Sequence, residues 1–153
     1  MRINILRLIE RGLDFVLAGI PTEVDILQKR LERLDELSKK LEEAETRKAI
    51  EEASKIEDVE AAIEHLKQAA KKLACPFCRA RLIAEIEYLK TYDLKTKLLE
   101  EGVPPNEVDK EFERRGYDKS VKDVVNRLLK ELKVSQMEFE QARKEVAKKI
   151  FGF

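Results

Sequence analysis

The chain has little of what catalytic sites use most. Its 153 residues include one histidine, His65, two cysteines and no tryptophan. With only one histidine available, the sequence offers little basis for a catalytic Ser-His-Asp or Cys-His arrangement. The five glycines form no Gly-rich phosphate-binding loop. We therefore expect the protein not to be an enzyme.

The sequence also lacks an excess of charge and a long apolar run. The 31 Lys and Arg residues balance the 31 Asp and Glu residues, so the net charge is zero. The chain as a whole therefore has no electrostatic attraction to nucleic acid or anionic lipid. The apolar N-terminal stretch is interrupted by Arg7, Glu10, Arg11 and Asp14, which excludes a spanning helix and a signal-peptide core. We expect a cytoplasmic protein with no membrane partner.

What the chain has in abundance is charge and helical periodicity. Charged residues make up 41% of it, and dense Lys and Glu with few Asn and Gln are typical of thermophilic proteins, where an intracellular disulfide is permissible. Apolar residues recur at spacings of three and four, and no segment alternates as a strand does. The pattern predicts an all-α fold, an elongated bundle of about seven helices in a single domain, residues 1–153. The first predicted helix covers residues 3–18.

The second predicted helix is the longest, from a capping box of Thr22 and Asp25 to about residue 53. Its seam alternates spacings of three and four, with Ser38 at one position and apolar residues at the others: Val24, Leu27, Leu31, Leu34 and Leu41. After Leu41 the seam thins to Ala44, Ala49 and Ala53. The stripe predicts either an intramolecular helical hairpin or a coiled-coil dimer. We assign as interaction residues Leu27, Leu31, Leu34 and Leu41, with Phe151 and Phe153 of the C-terminal tail.

The two cysteines lie three apart in Cys75-Pro76-Phe77-Cys78. Proline cannot continue the preceding helix but suits the first position of a new one. The tetrad therefore predicts a sharp helical hairpin, in which one helix ends near Leu73 and Cys75 is the N-cap of the next. Both sulfurs then lie on one side of the first turn and can reach one metal ion or each other. The helix N-terminus is expected to lower the thiol pKa, most clearly for Cys75.

Several interpretations of this pair are open. A tetrahedral zinc site needs four ligands, so the simplest complete site takes Cys75 and Cys78 from each of two chains. Cys-Pro-x-Cys at the apex of a helical hairpin resembles the zinc hook of the double-strand-break repair ATPases, which implies a metal shared across a two-fold axis. The cysteines can also form a disulfide within the turn or simply fill space.

Cys-Pro-Phe-Cys is also similar to the active-site tetrad of glutaredoxins. This resemblance implies a thiol-disulfide redox protein in which Cys75 is the nucleophile. That family places the tetrad directly after a β-strand, whereas here the spacing of apolar residues predicts a helix over Leu66 to Ala74. A glutathione-binding role is therefore not expected.

A predicted helix pair over residues 105–132 offers a further alternative. Its lengths are those of a helix-turn-helix, and the second helix presents Lys119, Lys122, Arg127 and Lys130 together with Asp123 and Glu131. Nucleic-acid binding is thus an alternative that the net charge does not support. The helix at 76–101 is apolar around most of its circumference and is predicted to be central. The sequence predicts a non-catalytic helical assembly protein that associates with itself or another helical protein, with zinc as the candidate cofactor.

Overall fold

The computed structural model describes residues 22–151, and these residues form helices and turns without any strand. Six α-helices follow one another along this part of the chain: α1 (Glu23–Ser54), α2 (Val59–Lys72), α3 (Pro76–Glu100), α4 (Val108–Arg114), α5 (Tyr117–Glu131) and α6 (Gln136–Phe151). The all-α prediction is confirmed. The described residues contain six α-helices rather than about seven, and the predicted helix at residues 3–18 lies outside them.

The chain divides into two compact units, Met1–Leu41 and Glu42–Phe153. The described residues of the first unit form the N-terminal part of α1. The predicted capping box opens this helix: the Asp25 N–H donates to the Thr22 hydroxyl, and the Thr22 N–H donates to the Asp25 carboxylate, both at 3.3 Å. The long second helix is therefore confirmed, with its start fixed by two local hydrogen bonds. That residues 1–153 form a single domain stays a prediction.

The second unit is built around α3, which packs against α2, α4, α5 and α6. Its fully buried side chains include Leu82, Ile83 and Ile86 near the start of the helix and Leu98 near the end. Consecutive positions such as Leu82 and Ile83 can both be buried only when a helix is covered on more than one side. The prediction that this helix is central is confirmed.

One predicted apolar face of α3 is not buried. Tyr88, Tyr92 and Leu99 are 38%, 60% and 47% exposed. The two tyrosine rings stack, with centroids 6.4 Å apart. This face of α3 is therefore not covered by the described residues.

The C-terminal part of α1 contributes small side chains to the core of the second unit. Ala49 and Ala53 are buried as predicted, but Ala44 is exposed and Thr46 is buried in its place. The hydroxyl of Thr46 donates to the carbonyl of Glu42 one turn earlier at 2.8 Å. A buried hydroxyl is thereby satisfied within its own helix.

The remaining helix boundaries follow local signals. Asp58 caps α2 by accepting from the Ala61 N–H at 3.2 Å. A 3₁₀ turn, Pro105–Glu107, leads into α4, and Gly116 adopts a φ of +72° between α4 and α5. Ser135 and Glu138 form the predicted capping box of α6. None of the described helices carries an apolar run long enough to cross a bilayer.

Candidate functional site

The Cys75-Pro76-Phe77-Cys78 turn forms the reversal that the sequence predicts. Leu73 is the C-cap residue of α2, Cys75 is the N-cap residue of α3, and Pro76 occupies the first helical position. Proline is suited to this position because its fixed φ matches the helix, and because an N–H here would have no hydrogen-bond partner within the helix. Cys78 thus lies in the first turn, on the same side as Cys75.

Glu42 of α1 completes the cap of α3. Its Oε1 accepts from the Ala74 N–H at 2.8 Å, and its Oε2 accepts from the Cys75 N–H at 2.9 Å. The Cys75 side chain makes no capping hydrogen bond of its own. A carboxylate at the positive end of a helix is electrostatically favourable. This side chain, 33 positions before Cys75, therefore fixes α1 to the turn.

Glu42, Cys75 and Cys78 form a compact group of metal-ligating side chains. A carboxylate oxygen of Glu42 and the two Sγ atoms all lie within 4.8 Å of one another. Cys75 is half-buried, and Cys78 is 6% exposed. The predicted pair of sulfurs is thus gathered on one flank, and Glu42 is a third candidate ligand that the sequence pattern did not predict. No local pattern around Glu42 distinguishes it from the other glutamates of α1.

The surroundings of Cys78 disfavour its ionised form. Burial raises the pKa of the Cys78 thiol to about 11, and the adjacent Cys75 thiol and Glu42 carboxylate act in the same direction, while the Thr46 hydroxyl opposes them. For Cys78 the expected lowering of the pKa by the helix N-terminus is therefore wrong. Removal from water is the largest cause of this shift.

A cavity of about 260 Å³ adjoins Cys78. Its wall includes Phe77 and side chains of both charges, among them Glu43, Arg47, Arg81, Glu145 and Lys149. His65 is not part of the cysteine group; its Nε2 lies 2.9 Å from a carboxylate oxygen of Glu52. The single histidine therefore pairs with α1 rather than joining the thiols.

The predicted interaction residues on α1 form a second candidate site. We call Leu27, Leu31, Leu34 and Leu41 the leucine stripe; their exposed fractions are 56%, 62%, 62% and 66%. Ile26 and Leu37 are also exposed beside it. Exposed leucines at this spacing are the surface that a coiled-coil partner buries. Phe151 is the last residue of α6, and Phe153 lies outside the described residues, so the predicted role of this tail stays a prediction.

The predicted helix-turn-helix pair corresponds to α4 and α5. The first helix has only seven residues, and Gly116 is the N-cap residue of the second. On α5, Lys119, Lys122, Arg127 and Lys130 are exposed, as are the acidic residues Asp118, Asp123 and Glu131. Mixed charge of this kind gives little attraction to a phosphate backbone.

Comparison with known proteins gives no match: neither a protein-family model nor a curated protein nor a solved structure is similar to this chain.

Proposed function

We propose that the protein is a non-catalytic helical assembly protein that pairs with a second copy of itself through the leucine stripe of α1. The observation that supports this most directly is the exposure of four leucines that follow one heptad seam. Fully burying one leucine side chain is worth roughly 1.5–3 kcal/mol. A surface of this kind is rarely left in water on a protein that works alone.

The charges beside the stripe favour a parallel partner of the same sequence. With Val24, Leu31 and Ser38 at the a positions and Leu27, Leu34 and Leu41 at the d positions, Arg30 lies at g and Asp35 at e. In a parallel, in-register pair, each Arg30 faces the partner's Asp35, which gives two attractive contacts. An antiparallel pair centred on the stripe instead places the two Asp35 side chains near each other.

The polar residue Ser38 is consistent with this register. A polar side chain at one a position weakens a coiled coil, but it restricts the registers in which the other a and d residues can meet. The two copies of Ser38 face each other only when the chains are parallel and in register.

A competing occupant of the leucine stripe is the chain's own N-terminal sequence, in which Ile5, Ile9, Leu13 and Val16 recur at helical spacing.

Sedimentation equilibrium over a range of concentrations tests the proposal. We expect the wild-type protein to form a dimer and the double variant Leu31→Glu/Leu34→Glu to be monomeric. Leu99→Glu is a matched control, because Leu99 is an exposed leucine on α3, and it should remain dimeric. A wild-type protein that is monomeric at every concentration would overturn the proposal.

A further inference from the structure

The group of Glu42, Cys75 and Cys78 has the chemistry of a metal centre within one chain. Its three ligand atoms lie within 4.8 Å of one another, and small side-chain rotations would bring them to metal-sulfur and metal-oxygen distances of roughly 2.0–2.3 Å around one ion. We propose that these three side chains bind one zinc-like divalent cation per chain, with a fourth position open to water or an external donor.

The carboxylate of Glu42 is already oriented for this role. Hydrogen bonds from the N–H groups of Ala74 and Cys75 hold its two oxygens at 2.8 and 2.9 Å. Each carboxylate oxygen can accept more than one partner, so a metal bond does not require either hydrogen bond to break. Ligating carboxylates are commonly held by hydrogen bonds of this kind. Glu42 is therefore positioned before any cation arrives.

The ligand types select the cation. Two thiolates favour zinc and similar transition metals over magnesium or calcium, which prefer oxygen ligands. On binding, each thiol releases one proton, so a cation of charge +2 meets two thiolates and one carboxylate and two protons leave to solvent. The complex carries a net charge of −1. A cation thus removes the repulsion that two thiolates and a carboxylate would otherwise suffer at this distance.

Burial favours a site in one chain over a site shared between two. A shared four-thiolate centre needs both sulfurs of each chain to face the partner, but Cys78 is only 6% exposed and belongs to the core of its own unit. Glu42 already lies beside both sulfurs as a third donor. The inference is independent of the leucine stripe, because all three ligands belong to the second unit.

Cobalt titration of the reduced, metal-free protein tests this site. We expect one Co²⁺ per chain, with the absorption of tetrahedral cobalt and sulfur-to-metal charge transfer, and displacement by Zn²⁺. Cys78→Ser and Glu42→Gln should each weaken Co²⁺ binding at least about tenfold. Glu45→Gln, an exposed glutamate on the same helix, is the matched control and should bind Co²⁺ as the wild type does.

Three results would overturn the inference. These are one Co²⁺ per two chains with four thiolates, unchanged affinity in Glu42→Gln, or no binding by the reduced wild-type protein. Circular dichroism of the metal-free variants checks that each one folds. If Glu42→Gln does not fold, X-ray absorption of the zinc-loaded wild type decides instead: two sulfur and two oxygen neighbours support the site, and four sulfur neighbours contradict it.

Discussion

Arg79 donates from Nη1 to the carbonyl oxygen of Leu132 at 2.9 Å, although the two residues are 53 positions apart. Its Nε donates to the carbonyl of Leu73 at 2.6 Å. Leu73 and Leu132 are the C-cap residues of α2 and α5. One guanidinium on α3 therefore satisfies the ends of two helices, where carbonyl groups have no partner within the helix.

Replacing Arg79 by methionine should destabilise the fold. The variant keeps much of the aliphatic length but leaves two carbonyls without a charged donor, and a hydrogen bond to a charged group is worth about 1.5–3 kcal/mol. We expect a loss of about 3 kcal/mol in the free energy of unfolding, measured in urea. Arg127→Met, at an exposed position of α5, should change stability by less than about 0.5 kcal/mol. Equal losses in both variants would contradict the capping role.

The two cysteines should differ in reactivity. Cys75 is half-buried, whereas Cys78 is buried and its pKa is raised to about 11, so its thiolate is both scarce and inaccessible. Iodoacetamide should therefore modify Cys75 first in the native, reduced protein, as followed by mass spectrometry of peptides. In urea the difference should disappear, which is the control. Faster modification of Cys78 in the native state would refute this order.

Stability should depend on pH through Glu87. Burial raises its pKa above the ordinary 4.5, with Glu140 adding to the shift and Arg143 opposing it. Since the folded state favours the protonated form, this contribution to stability is full below pH 4.5 and is lost as the pH rises through the raised pKa. Glu87→Gln should therefore be more stable than the wild type at neutral pH, measured by thermal unfolding.

The same comparison carries its own control. The advantage of Glu87→Gln over the wild type should shrink as the pH is lowered towards 4.5. Glu113→Gln, at an exposed position on α4, is the matched control for the loss of one glutamate charge. A gap that stays constant with pH would mean that the Glu87 carboxylate is not penalised by burial.

The orientation of the proposed dimer can be tested by disulfide trapping. In a Cys75→Ser/Cys78→Ser background, Leu27→Cys should form an interchain disulfide on mild oxidation, because a parallel, in-register pair brings the two copies of residue 27 together. An antiparallel pair centred on the stripe places them at opposite ends. Reversing the two charges gives a second test, measured as the strength of association. Asp35→Arg should weaken the dimer because it places two arginines opposite each other. Adding Arg30→Asp to the same chain should restore the dimer because the attraction returns with the signs reversed.

Local chemistry explains what the sequence could predict. The helix boundaries at Thr22, Pro76 and Ser135 depend on residues at most three positions apart. A short stretch of sequence is therefore enough to predict them. The central position of α3 was also predictable, since a helix with apolar residues on several sides has to be covered on several sides.

Long-range polar contacts explain what it could not. Glu42 and Arg79 are two of many charged side chains on helices, and only the folded chain brings one to the Cys75 N–H and the other to the carbonyl of Leu132. The burial of Thr46 instead of Ala44 has a similar origin. Ala44 and Thr46 lie on nearly opposite faces of the helix, since two positions turn it by about 200°, and the periodicity of α1 alone does not determine which face is enclosed.

The stacked rings of Tyr88 and Tyr92 give the protein an intrinsic optical reporter. With no tryptophan and only three tyrosines in the sequence, near-ultraviolet signals come largely from this pair and from Tyr117, which packs edge-on against Phe112. Tyr88 and Tyr92 lie one turn apart on the helix that organises the second unit. Their coupled absorption will follow the integrity of that helix during unfolding without any attached label.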